Sequence, residues 1–203
     1  FTEEVLQSIG KSFRGAKVLV SGSGNVALYA TQKATQRGAT VLAMSDSSGY
    51  VYDPNGIDID VMRQIKEVER ARIIEYTHRV PGSVFYPGFS GIWTIPCNIA
   101  LPCATQNEID EESACALIQG GCKVVCEGAN MPSTPEAIAA FVKNGVLFGP
   151  AKAANAGGVA TSGLEMSQNS IRMGWTFEEV DARLREIMRN IYKNSYRAAA
   201  EYG

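Results

Sequence analysis

A short run of small residues, Gly22-Ser-Gly-Asn-Val-Ala27, has the spacing of a loop that holds a diphosphate group. Gly22 can make a tight turn, Gly24 lets the backbone approach a phosphate without a Cβ, and Ala27 lets a helix pack closely on a sheet. Asp46, 22 residues after Gly24, has the position of a carboxylate that reads a ribose hydroxyl. The pattern predicts a dinucleotide site; the alternative is a glycine-rich turn of some other α/β protein.

The elements around this turn fit that prediction. An apolar strand-like run at 16–21 precedes the turn, a helical stretch at 25–37 follows it, and a second strand is predicted at 40–45. Further alternation predicts a hairpin-like excursion at 49–56, strands at 83–87, 98–101, 123–126 and 146–148, and helices at 58–76, 110–118 and 134–145. The order indicates an α/β fold, a Rossmann-like doubly wound, mostly parallel sheet with helices on both faces.

The end of the chain reads as a C-terminal helical tail. Thr176-Phe-Glu-Glu179 has the composition of a capping box, and apolar residues then recur every three or four positions. That stripe predicts a packing face against the domain or a neighbour. We therefore expect residues 1–203 to form one dinucleotide-binding domain, with the helical tail starting at about residue 158.

Composition excludes several classes of protein. The chain has 203 residues, of which 45% are hydrophobic, and a formal net charge of −2. Such a charge provides no basic field for nucleic acid or anionic lipid. No apolar run reaches the length of a membrane span, and no signal-peptide pattern is present at the amino terminus. We expect a cytoplasmic protein with no nucleic-acid or membrane partner.

The cysteines and the single histidine suggest neither a metal site nor a hydrolase. The five cysteines are odd in number and loosely spaced, which fits neither a disulfide framework nor zinc ligands. Cys122 and Cys126 bracket a predicted strand and are expected to face the same side of it as reduced thiols. His78 would be the only base available to a nucleophilic triad, and its plain surroundings indicate a surface residue.

Polar segments follow three of the later predicted strands. They are Pro102–Asn107, Glu127–Pro132 and Ala151–Gly158, and each is rich in small, amide or hydroxyl residues. Ligands of open α/β sheets bind outside the carboxyl ends of the strands. The three segments together therefore predict a ligand site rather than three ordinary capped turns.

Long stretches of the chain resemble the cofactor-binding domain of glutamate dehydrogenases, above all the hexameric, NADP-linked type. The matching segments are 22–27, 45–49, 98–107, 127–132 and 152–166, so the resemblance covers most of the chain. It implies a parent enzyme that oxidatively deaminates L-glutamate to 2-oxoglutarate and ammonia, with hydride transfer to the nicotinamide, and that assembles as a homohexamer.

The resemblance also implies roles for individual residues. It places Ser23, Gly24, Asn25 and Val26, beside Gly22, at the pyrophosphate, and Asp46, Ser47 and Ser48 around the adenosine ribose. It places Ala104, Thr105 and Gln106 along the cofactor cleft, Asn130 at the nicotinamide ribose and Asn155 at the nicotinamide amide. It places Val159 and Ser162 at the amino-acid side chain, where the serine hydroxyl would bind the γ-carboxylate of glutamate.

The resemblance implies an amino-terminal substrate domain with catalytic lysines and an aspartate in the parent enzyme, and we expect that domain to lie outside this chain. Lys152 is the only lysine in the matching cleft segments, and we interpret it as positional, so we expect no catalytic residue here and no activity from the chain alone. Two alternatives stay open. One is a leucine or phenylalanine dehydrogenase, which the hydroxyl of Ser162 disfavours; the other is a non-catalytic dinucleotide sensor.

The choice of cofactor divides the sequence evidence. The spacing of Asp46 favours NAD, because a carboxylate there would accept the ribose 2′-hydroxyl and repel a 2′-phosphate. Ser47 and Ser48 offer hydroxyl donors that could hold a phosphate, and the resemblance favours NADP. The loop contains no arginine; Lys33, Arg37 or a residue outside the chain could supply the charge. We expect NADP, with NAD possible.

Overall fold

The computed structural model describes residues 1–202, and seven strands of that region form one sheet. The strands are β1 (Lys17–Val20), β2 (Thr40–Asp46), β3 (Gly49–Tyr52), β4 (Val84–Pro87), β5 (Ile99–Leu101), β6 (Val124–Cys126) and β7 (Leu147–Gly149). Their order across the sheet is β4-β3-β2-β1-β5-β6-β7. The five strands β2, β1, β5, β6 and β7 are parallel to one another. At the other edge, β3 pairs antiparallel with both β2 and β4.

The chain changes direction across the sheet between β1 and β5. After β1 it builds outward through β2, β3 and β4, then returns to place β5 on the other side of β1. Diverging connections open a crevice at the carboxyl ends of the two central strands, where ligands of doubly wound sheets bind. The glycine turn follows β1, and the Pro102–Asn107 segment follows β5.

Helices cover both faces of the sheet, which confirms the predicted fold class. They are α1 (Thr2–Ser8), α2 (Asn25–Gln36), α3 (Ile59–Arg63), α4 (Glu75–Arg79), α5 (Glu111–Gln119), α6 (Pro135–Lys143), α7 (Ala151–Ala154), α8 (Ala156–Ile171) and α9 (Phe177–Tyr202). One buried cluster packs α1, α2, α3 and α4 on the sheet. The other packs α5, α6 and a 3₁₀ turn at Ser90–Thr94 on the opposite face.

The prediction of a single helix over 58–76 is wrong. The structure has the short α3, a π-helical turn at Gln64–Val68, a left-handed residue at Arg70 (φ 54°), and then α4. The irregular backbone is held by local bonds, because Ala71 N–H donates to Ile65 O (2.9 Å) and Lys66 Nζ donates to Ala71 O (2.8 Å). These contacts, together with bonds to the end of β2, outweigh the helical periodicity of the segment.

The expectation that Cys122 and Cys126 face the same side is also wrong. Cys126 belongs to the core beneath α1 and α2, whereas Cys122 belongs to the core beneath α5 and α6. The alternation of a strand does not apply to Cys122, since β6 begins only at Val124. All five cysteines are free, and Cys115 alone among them is exposed.

The capping box predicted at Thr176 is confirmed, and side chains also cap the helices predicted to start at Asp110 and Thr134. Asp110 accepts from Ser113 N–H (2.8 Å), and Thr134 accepts from Ala137 N–H with Pro135 at the first helical position. At the start of α9, Thr176 and Glu179 exchange bonds of 2.7 and 3.2 Å, as a capping box requires. Over residues 1–202, no helix combines the length and apolar character needed to cross a bilayer.

Candidate cofactor site at the carboxyl ends of the strands

The glycine turn joins β1 to α2 and leaves the start of that helix open. Gly22 has φ +84°, which favours glycine, and Gly24 occupies the N-cap position without a side-chain capping bond. A Cβ built on Gly24 would meet no atom within 4 Å, and Asn25 and Val26 beside it are exposed. The first N–H groups of α2 therefore face open space, as an anion-binding helix start requires.

Behind the turn, backbone contacts fix the loop that follows β5. A Cβ on Gly22 would lie 3.0 Å from both Ala104 Cα and Cys103 O, so the two loops touch through their main chains. Gly22 N–H donates to Ser45 Oγ (2.8 Å), and Cys103 N–H donates to Ser21 Oγ (2.8 Å). The predicted cleft residues Ala104, Thr105 and Gln106 lie exposed in front of this contact.

At the end of β2, Asp46 is enclosed rather than presented to solvent. Oδ1 accepts from Ser48 N–H (2.8 Å) and from the Ser48 hydroxyl, while Oδ2 accepts from Ile73 N–H (2.9 Å) and Lys66 Nζ (3.3 Å). Burial alone would raise the pKa of Asp46, but the bonds from Ser48 and Ile73 and the Lys66 charge outweigh it and lower that pKa. Its acceptor sites are filled within the protein.

The hydroxyl of the neighbouring Ser47 lies beside a positively charged side chain. Arg72 Nη1 donates to Ser47 Oγ (2.7 Å), and both side chains are exposed. The Ser48 hydroxyl faces Asp46 instead of the solvent, which differs from its predicted role as a phosphate donor. Arg37, proposed from sequence as a counter-charge, pairs with Glu3 at the far end of α2, and Lys33 lies in the last turn of that helix.

Two asparagines meet at the other end of the crevice. Asn155, between α7 and α8, donates through Nδ2 to Asn130 Oδ1 (3.0 Å), although the two are 25 positions apart. The Asn130 loop is tied to the loop after β5, because Asn107 N–H donates to Met131 O (3.0 Å). The structure thus joins two residues that the family resemblance assigns to the nicotinamide end.

The predicted substrate residues lie on α8. Val159 and Ser162 are both exposed, Val159 at 79% of its surface, and Lys152 is exposed as well. His78 is exposed too, and its Nδ1 lies 3.3 Å from Glu75 Oε2, as expected of a surface residue. Within residues 1–202, no group of three or more acidic, cysteine or histidine side chains is arranged to hold a metal ion.

Two buried glutamates near the cleft were not predicted from the sequence as functional residues. Glu108 Oε1 accepts from Ala104 N–H (3.0 Å) and Thr105 N–H (3.2 Å), and Glu127 accepts from Ser133 N–H (3.1 Å) and Ala151 N–H (2.7 Å). Both sit in the polar strand-end segments, or directly beside them, so their positions were a usable signal. Lys66 and Arg72 had no such signal, because only the broken helix brings them to β2.

A doubly wound sheet with an open helix start at its switch point defines a class of α/β domains that bind nucleotides. The model of the Glutamate/Leucine/Phenylalanine/Valine dehydrogenase family matches residues 1–203, and the chain belongs to that family. It is 47% identical to an NADP-specific glutamate dehydrogenase of Helicobacter pylori, over 100% of this chain and 46% of that protein.

Two further comparisons agree. A protein of Xylanibacter ruminicola named NAD(P)-specific glutamate dehydrogenase is 49% identical over 99% of this chain and 46% of its own length. The crystal structure of Plasmodium falciparum glutamate dehydrogenase superposes with a TM-score of 0.94 and 47% identity, covering 98% of this chain and 43% of that one. The chain spans less than half the length of these relatives.

Proposed function

We propose that this chain is the cofactor-binding half of a glutamate dehydrogenase and that it binds NADP in preference to NAD. The observation that carries the choice of cofactor is the environment of Asp46. All four donors around its carboxylate come from the protein, so Asp46 has no free acceptor for a ribose 2′-hydroxyl. A 2′-phosphate would instead meet the Arg72 guanidinium and the Ser47 hydroxyl.

The remaining residues fit the rest of a dinucleotide. The glycine turn, Gly22 to Val26, would hold the pyrophosphate on the backbone N–H groups at the start of α2. Ala104, Thr105 and Gln106 would line the cleft, and the Asn130–Asn155 pair would fix the nicotinamide ribose and amide. When bound, the nicotinamide supplies the hydride acceptor, and these residues only orient it.

The proposal extends to the substrate and to the whole enzyme. Val159 and Ser162, exposed on α8, would contact the side chain of glutamate, with the hydroxyl of Ser162 on its γ-carboxylate. The parent would convert L-glutamate to 2-oxoglutarate and ammonia as a homohexamer. Residues 1–203 would form its dinucleotide-binding domain, and the catalytic groups would come from a separate substrate domain.

Calorimetric titration of the folded chain with NADP and with NAD tests the proposal. We expect binding of both, with NADP the tighter ligand, and no glutamate-dependent reduction of either cofactor. Titrations without heat at millimolar cofactor would refute the binding function. Turnover by the purified chain would show that its catalytic groups had been misassigned.

A further inference from the structure

We propose that Glu108 is a positioning residue for the cofactor. It sets the distance between the Cys103–Thr105 loop and the glycine turn. The inference rests on the proposed dinucleotide site and adds a residue that does not touch the ligand. The geometry supports it, because one carboxylate oxygen of Glu108 accepts hydrogen bonds from two consecutive backbone N–H groups of the loop that lines the cleft.

The contacts of Glu108 tie three segments together. Its side chain is buried, with 6% of the residue exposed, and the nearby Ser21 hydroxyl lowers the pKa of its carboxyl group, against the larger effect of burial. Ser21 also accepts from Cys103 N–H (2.8 Å), so the end of β1 holds the same loop from a second side. Among the salt bridges of residues 1–202, none includes Glu108.

This arrangement occupies two backbone donors of the loop. The N–H groups of Ala104 and Thr105 are used by Glu108, while both residues stay exposed. A Cβ built on Gly22 would lie only 3.0 Å from Ala104 Cα, so the loop and the glycine turn are in close contact. A small movement of the loop therefore changes the width of the crevice. The location of the Glu108 oxygen therefore sets the spacing that a diphosphate would meet.

Position should matter here more than charge. Burial raises the pKa of Glu108, and the Glu127 carboxylate raises it further, against bonds from Ser21, Ala104 and Thr105 that lower it. The buried Cys103 thiol is the other titratable neighbour. A neutral glutamine would place an oxygen at the same site without a buried charge, and its amide could donate to Ser21 Oγ.

The test compares Glu108→Gln, which keeps the oxygen in place, with Glu108→Asp, which keeps the charge but withdraws the carboxylate by one methylene. Calorimetry on the chain measures NADP, NAD and adenosine 2′-monophosphate, a probe that reaches only the β2 end of the site. We expect Glu108→Gln to stay within about threefold of wild type, and Glu108→Asp to weaken NADP and NAD equally, by about tenfold. The monophosphate should bind all variants alike, and exposed Glu111→Gln is the control.

If Glu108→Asp does not fold, Ser21→Ala takes its place, since it removes the other tether of the loop and should weaken both dinucleotides by equal factors. The proposal is overturned if Glu108→Asp binds as well as Glu108→Gln, if Ser21→Ala used in its place binds both dinucleotides like wild type, or if the monophosphate loses affinity in parallel with NADP. Absence of NADP binding by the wild-type chain would instead refute the proposed function, so the two failures are distinct.

Discussion

The two ends of the crevice use different chemistry. At the β2 end, Asp46, Lys66 and Arg72 form a charged cluster in which the carboxylate is already satisfied. At the other end, Asn130 and Asn155 join through neutral amides. A charged end can discriminate between ligands that differ by a phosphate, whereas a neutral end can orient a ligand without sensing its charge.

The glycine turn lies between the two ends, so changing it should damage both. Gly22→Ala would put a Cβ 3.0 Å from Ala104 Cα on a residue at φ +84°. We expect NADP and NAD affinity to fall together by about 100-fold, measured by calorimetry, because a displaced loop misplaces the whole ligand.

Gly121→Ala is the matched control for Gly22→Ala. Gly121 has the same backbone conformation, φ +85°, but a Cβ there would meet nothing within 4 Å. It should lose stability of about 1 kcal/mol through backbone strain and keep its cofactor affinity. Equal losses of affinity in the two variants would show that strain, and not the contact with Ala104, is responsible.

Replacing Arg72 should affect the charged end alone. Arg72→Ala removes the guanidinium that bonds Ser47, so NADP should bind about tenfold more weakly while NAD stays within about twofold. Arg79→Ala, which removes the same charge from an arginine bonded to Glu69, is the control. An equal loss of affinity for NAD, or no loss of affinity for NADP, would show that Arg72 does not bind the 2′-phosphate.

Replacing Asn155 should affect the neutral end alone. Asn155→Ala removes the partner of Asn130, and we expect about a fivefold loss of affinity, equal for NADP and NAD. Asn144→Ala, an amide that bonds Ala140 O at the end of α6, controls for a general effect. A change in the ratio of the two affinities would contradict the division between the ends.

The smallest effect concerns stability. Because the pKa of Asp46 is lowered in the folded protein, its carboxylate stabilises the fold above the ordinary aspartate pKa of about 3.9, and that contribution is lost as the pH falls through the lowered pKa. Asp46→Asn should lower Tm by about 3 °C at neutral pH. The gap from wild type should close below about pH 4, and exposed Asp60→Asn is the control. A gap that is the same at both pH values would argue against Asp46 as its source.

Much of the fold was predictable because its signals are local. The strand, glycine turn and helix around Gly22 follow from neighbouring residues, and the caps at Asp110, Thr134 and Thr176 follow from residue type. The break in the helix predicted over 58–76 could not be predicted in this way, because Lys66 and Ile73 bond to Asp46, which lies 20 and 27 positions earlier in the chain. The charged end of the site depends on that break, so periodicity could not reveal it.

The dependence of binding on salt tests the difference between the two ends most directly. Calorimetry on the wild-type chain would measure NADP and NAD affinities from about 0.05 M to about 0.5 M NaCl. We predict that NADP binds more tightly at low salt and that the ratio of the two affinities falls toward one as salt rises. A ratio that does not change with salt, or tighter binding of NAD at low salt, would contradict a charged phosphate pocket at Ser47 and Arg72.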